Sequence, residues 1–213
     1  MEELSQKYPL LKDQNVPRET LIDFEGFIAM LQKGNEEINI ISKKTAKDDI
    51  IRDRHILDSA QIIEFIDLKS NIITDIGSGG GMPGIVISIL MKKLSNPPKV
   101  NLYEKSHHKS SFLRLVSRDL KLNTEVIQKN IFENKNLHSG TIMARAFKPL
   151  QIVIELVYKN FSSYRNLIVF MGRNGEKSLK ETLKYWDFEY EKIQSITCED
   201  SFLLNIKNIR KKN

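Results

Sequence analysis

The run Asp75-Ile76-Gly77-Ser78-Gly79-Gly80-Gly81-Met82-Pro83-Gly84 decides how this chain folds. It follows the apolar segment 72–76 and opens into a helical period with Ile85, Ile89 and Leu90 on one stripe. A strand that reverses sharply into a helix while its backbone approaches a ligand needs glycine, because a β-carbon obstructs both the turn and the approach. Pro83 suits the first helical turn, where a missing N–H costs nothing. Spacing narrows the ligand. A dinucleotide loop would set a third glycine or alanine three residues after Gly79, where Met82 stands, whereas Gly77, Gly79 and Gly81 recur at every second position. That pattern favours a cofactor without a pyrophosphate. No Gly-Lys-Ser/Thr follows, so no lysine is placed for β- and γ-phosphates and nucleotide hydrolysis is not expected.

Outward from the loop, residues 72–76, 100–103, 125–127, 141–144 and 167–170 read as strands separated by helical periods, which implies a parallel sheet. Stripes of Phe112, Leu115, Val116 and Leu120, and of Leu150, Ile154 and Val157, suit helices that cover a sheet face. Glu104 closes the second strand, where a carboxylate accepts both hydroxyls of an adenosine ribose, so loop and acid together make a nucleoside site. Residues 188–196 and 202–209 are strand-like runs joined by the turn 197–201, and a terminal antiparallel hairpin follows. Ahead of the loop, Leu21, Phe24, Ile28 and Leu31 mark one helix, with Gly34 and Asn35 as its expected stop. A polar stretch with Lys43, Lys44 and Lys47 leads to a second helix with Ile56, Ala60 and Ile63 on one face, the two forming a helical cap.

Composition bounds the function classes. With 213 residues, 40% hydrophobic and 28% charged, the chain suits one packed main domain. No apolar run approaches the ~20 residues that span a bilayer, and the opening MEELSQKYPL lacks the basic and apolar blocks of a secretory signal. Cys198 is the only cysteine, which excludes an intramolecular disulfide or a thiolate metal cluster and fits the reducing cytoplasm. His107, His108 and His138 lack metal-ligand spacing, so no metal is expected. A net charge of +6 favours a polyanionic partner.

Four stretches carry a family resemblance: Asn35 with Asn39-Ile40-Ile41-Ser42, Arg54-His55-Ile56-Leu57-Asp58-Ser59, the 75–84 loop with its Met-Pro-Gly ending, and Ala144-Arg145-Ala146-Phe147. On these the chain resembles the class I Rossmann-like methyltransferases and, more closely, the RsmG (GidB) family of bacterial small-subunit ribosomal RNA guanine-N7 methyltransferases. The resemblance implies an α/β fold with a mostly parallel seven-stranded sheet, a terminal antiparallel hairpin and an N-terminal helical extension. It divides the chain into an extension, 1–47, and a methyltransferase domain, 48–213. The implied cofactor is S-adenosylmethionine. It is expected against Asp75, Gly77, Ser78, Gly79, Gly81, Met82 and Glu104, with Ile131 and Phe132 flanking the adenine and Arg145 at the cofactor site. The implied substrate is a guanine of the 530 loop in 16S ribosomal RNA, presented as RNA or as the small ribosomal subunit to a cytoplasmic monomer. Met171 stands where the family often carries a Lys-Gly pair, which leaves Arg173 as a substitute.

Guanine N7 already offers a lone pair, so methyl transfer needs no general base. Alignment within a dry pocket contributes roughly 7–11 kcal/mol. Arg145 is the candidate positioning residue, binding guanine oxygen or phosphate, and Arg145→Ala is expected to damage turnover more than folding. Lys109, Arg114 and Arg173 follow strand ends and are the RNA-binding candidates. His55 and Asp58, one helical turn apart, read as structural hydrogen-bonding groups that dock the N-terminal helices. Two other readings stay open: a methyltransferase acting on a small molecule or protein, and a noncatalytic RNA-binding assembly protein.

Overall fold

The computed structural model describes residues 4, 6–8, 16–42 and 47–212. Lys43 and Lys44 of the polar stretch lie outside the described residues. The helices are α1 (Arg18–Glu37), α2 (Asp48–Ile51, continuing through Arg52–Leu57 to Asp58–Ala60), α3 (Gly84–Met91), α4 (His107–Asp119), α5 (Leu150–Asn160) and α6 (Gly175–Thr182). The strands are β1 (Ile72–Ile76), β2 (Lys99–Tyr103), β3 (Thr124–Ile127), β4 (Leu137–His138), β5 (Thr141–Arg145), β6 (Phe161–Ser163), β7 (Asn166–Met171), β8 (Trp186–Gln194) and β9 (Phe202–Lys211).

Seven strands form one sheet in the order β3-β2-β1-β5-β7-β9-β8. β1, β2, β3, β5 and β7 pair in parallel, whereas β9 runs antiparallel to β7 and to β8, which gives the expected hairpin. Successive side chains of a strand point to opposite faces. Accordingly Met143, Ile168 and Leu203 join an apolar cluster with α1 to α4, while Ile142, Val169 and Leu204 join a second cluster with α5 and α6. Both faces are covered, as a parallel sheet requires.

Three local features differ from the sequence expectation. α1 runs past Gly34 to Glu37. A β-carbon on Gly34 would stand 2.6 Å from Ile40 Cδ1 and 3.1 Å from the Phe112 ring, so this glycine permits close packing inside the helix. The Asn35 side-chain oxygen accepts the N–H groups of Ile40 (2.9 Å) and Ile41 (3.0 Å) and ties down the segment after the helix. In the second helix the backbone winds as a π-helix over Arg52–Leu57, and regular winding ends at Ala60. Ile56 and Ala60 are buried as expected, but Ile62 takes the core position and Ile63 is half-buried at the start of a 3₁₀ turn. Finally β4 and β6 form a separate two-stranded parallel ribbon. These strands are too short for an alternating pattern to reveal them.

Candidate functional site

Strand order reverses between β1 and β5, since β2 and β3 lie to one side of β1 while the chain returns to β5 on the other. In such sheets the crevice outside the carboxyl ends at the reversal is where ligands bind. The pairing of Ile76 with Tyr103 brings the residues just beyond these strands side by side. The N–H groups of Gly77 and Ser78 both donate to the Tyr103 carbonyl, at 2.9 and 3.0 Å. Glu104 therefore faces the loop: its carboxylate accepts the Gly79 N–H at 3.0 Å and the Ser106 N–H at 2.8 Å. Each carboxylate oxygen keeps a second lone pair for an incoming hydroxyl.

Gly77, Gly79 and Gly81 have φ of +75°, +53° and +95°, the left-handed region where a side chain is strained. At Gly77 an added β-carbon would also lie 2.2 Å from the Phe147 ring. At Gly79 it would meet nothing nearer than the Gly77 carbonyl at 3.8 Å, so that side of the loop is open.

A cleft of about 400 Å³ lies between the loop and these strand ends. Of the residues expected at a cofactor, Gly77, Ser78, Gly79, Met82, Glu104, Ile131, Phe132 and Arg145 line it. Asp75 and Gly81 do not line the cleft and instead shape the loop from behind. The Asp75 side chain is buried, its Oδ2 accepting the Gly84 N–H at 3.0 Å and its Oδ1 without a hydrogen-bond partner. Burial pushes this carboxyl up to about 7, against the opposing pull of the Gly84 N–H, Ser78 and Arg145. Phe132 and Phe147 stack with centroids 6.0 Å apart at the cleft.

Of the basic candidates, Lys109 lines the cleft. Arg114 turns aside to Gln128 Oε1 at 3.4 Å. Arg173 is largely exposed, 3.8 Å from Asp200, and borders a separate groove with Phe147 and Lys148. Lys129, Asn130 and Lys148 at the cleft were not singled out from the sequence, although all follow strands. Their position just beyond parallel strands was the available signal.

Arg145 forms the wall between this cleft and a second cavity of about 350 Å³, which is lined also by His55, Asp58, Phe170, Met171, Ser195 and Thr197. Its Nη1 faces His55 Nδ1 at 3.2 Å, and its Nη2 donates to the Arg54 carbonyl at 2.6 Å and pairs with Asp58 Oδ2 at 3.2 Å. Asp58 Oδ1 accepts from Gln61, Ser195 and Thr197, at 2.9, 3.1 and 3.0 Å. His55 and Asp58 thus meet through Arg145, which joins the π-wound helix to β5. Burial, then the charges of Arg145 and Arg54, push the His55 imidazole down to about 4, so it stays neutral. Arg145 donates to Nδ1, which leaves the His55 proton on Nε2.

A family described as rRNA small subunit methyltransferase G matches residues 20–205. A Pelagibacter ubique protein named ribosomal RNA small subunit methyltransferase G is 75% identical over 213 residues, covering 100% of both chains. A Rickettsia felis protein of the same name is 35% identical over 196 residues, 92% of this chain and 97% of its own. Among solved structures, a SAM-dependent methyltransferase from Aquifex aeolicus aligns with a TM-score of 0.55 at 12% identity, over 77% of this chain and 94% of that one. The 16S rRNA methylase RmtB aligns with a TM-score of 0.51 at 12% identity, over 92% of this chain and 76% of that one. These two likenesses establish the Rossmann-like methyltransferase fold. The sequence matches establish the family: this chain belongs to the rRNA small subunit methyltransferase G family.

Proposed function

We propose that this methyltransferase binds S-adenosylmethionine in the glycine-loop cleft and directs its methyl group to N7 of a guanine in 16S ribosomal RNA. The observation that carries the reading is the pairing of Gly79, open toward the cleft, with the Glu104 carboxylate beside it. Glu104 accepts the ribose hydroxyls, Ile131 and Phe132 take the adenine, and the loop backbone leaves room for the remainder. When bound, the cofactor supplies a methyl group made electrophilic by a sulfonium sulfur.

The second cavity takes the guanine, and the wall at Arg145 and Ala146 is where nucleophile and methyl group meet. Arg145 Nε has no hydrogen-bond partner among the described residues and is available to the base or its phosphate. Since N7 brings its own lone pair, the neutral His55 has no proton to remove. The residues contribute by alignment and by keeping the positive groups fixed before the reaction. Among the described residues no helix is long and apolar enough to cross a membrane. A ribosomal substrate calls for a cytoplasmic enzyme, and we take it to act as a monomer.

The test is transfer of labelled methyl to small-subunit RNA from cells lacking the gene, supplied both as RNA and as intact particle. N7-methylguanine at a single position is expected. Label at another atom would refute the N7 assignment, and label in nuclease-treated extract would favour a small-molecule or protein substrate.

A further inference from the structure

The charges around the cofactor cleft are poorly matched to its proposed ligand. Lys105, Lys109, Lys129 and Lys148 line it together with Arg145, against the single lining carboxylate of Glu104. No hydrogen bond or ion pair engages any of the four ammonium groups among the described residues. Lys105, Lys129 and Lys148 are exposed, and Lys109 is half-buried. Asp58 and Arg145 compensate one another, and the buried Asp75, raised to about 7, is only partly ionised near neutral pH, so the four ammonium groups are left in excess.

S-adenosylmethionine carries an ammonium, a carboxylate and a sulfonium, and so enters as a net cation. Adenosylhomocysteine, left after transfer, has lost the sulfonium charge. Unpaired ammonium groups at the rim therefore oppose the donor more than the spent product. They suit a phosphate backbone, which neutralises them and releases its own counterions.

Resting on the proposed cofactor site, we propose that this lysine rim couples donor loading to RNA. Without RNA the rim biases the cleft toward adenosylhomocysteine. An RNA strand seated on Lys105, Lys109, Lys129 and Lys148 removes that bias and selectively strengthens binding of the cationic donor. By linkage the donor strengthens RNA binding by the same factor. Transfer moves the positive charge onto the N7-methylated guanine, and adenosylhomocysteine, now without it, no longer adds to RNA affinity.

Calorimetric titration of both cofactor forms tests this, with and without a 16S transcript made with 7-deazaguanosine, which cannot accept a methyl group at that position. Screened Coulomb repulsion from the rim predicts a contribution to product preference of about fivefold at low ionic strength, falling to about twofold at physiological salt. The variant Lys105→Gln/Lys109→Gln/Lys129→Gln/Lys148→Gln, checked for an unchanged melting temperature, is expected to lose this salt dependence through tighter donor binding, with product affinity nearly constant. RNA is expected to raise donor affinity several-fold more than product affinity in the native chain, and to change the two affinities by the same factor in the variant. A preference indifferent to salt and to the substitutions, or RNA acting alike on both forms of the native chain, overturns the coupling while leaving the cofactor site intact. Failure of both forms to bind at all overturns the cofactor reading itself.

Discussion

Gly77 concentrates two demands on one residue, a φ of +75° and a β-carbon position 2.2 Å from Phe147. Gly77→Val is therefore expected to displace the loop and Phe147 together and to lower S-adenosylmethionine affinity by more than ~100-fold, equivalent to about 3 kcal/mol. Calorimetry measures this, and native affinity in the variant would place the cofactor elsewhere. Two buried titratable groups give opposite pH dependences. His55, pushed from 6.5 down to about 4, lets the unfolded chain bind the extra proton, so its contribution is complete above pH 6.5 and is lost as pH falls toward 4. The loss amounts to about 3 kcal/mol. Asp75, raised from 3.8 to about 7, holds its proton in the folded chain, so its contribution is present at low pH and is lost as pH rises from 4 through 7. Urea unfolding across pH 4 to 8 is expected to show a flatter acid limb in His55→Gln and a smaller decline toward pH 7 in Asp75→Asn. Unchanged limbs would assign the titrations to other groups.

At the scale of elements, Arg145 clamps α2 to β5 while Asp58 reaches on to the turn after β8. The spacing of the Arg-His-x-x-Asp-Ser run suggests docking, but nothing local in it reveals that its partner is an arginine some ninety residues on. This clamp revises the expectation for Arg145→Ala, since removing the guanidinium strips Asp58 of its counter-charge as well as disturbing the site. Folding stability is expected to fall by about 2 kcal/mol, between the exposed and the fully buried cases. Asp58→Ala should cost a similar amount, and the double variant less than the sum of the two. Strict additivity in urea melts would deny that the pair acts as a unit. The seven strands of the main sheet were legible because their apolar runs are flanked by polar or glycine-rich breaks. Gly34 was misread because a glycine needed for close packing and a glycine that ends a helix look alike until Ile40 and Phe112 are in place.

Across the whole molecule, the N-terminal helix is part of the main core. Leu21, Phe24, Phe27, Ile28 and Leu31 share one apolar cluster with Ile73, Ile85 and Leu113. Residues on both sides of the division at 47 thus pack in one apolar cluster. Heat is expected to unfold the chain in a single calorimetric transition, and removal of residues 1–47 to abolish cooperative melting by uncovering that cluster. Two separate transitions, or a well-folded 48–213 fragment, would make the extension an independent unit.

The sequence by itself determined the alternation of strands and helices, the glycine loop after the first strand and the acid after the second. These follow from periodicity and backbone sterics, which act over a few neighbouring residues. Only the tertiary structure decided that Asp75 works from behind the loop, that Arg145 divides two cavities, and that four lysines from three segments share one rim. Those arrangements depend on strand order and register, which bring together residues far apart in the chain and leave no periodic trace along it.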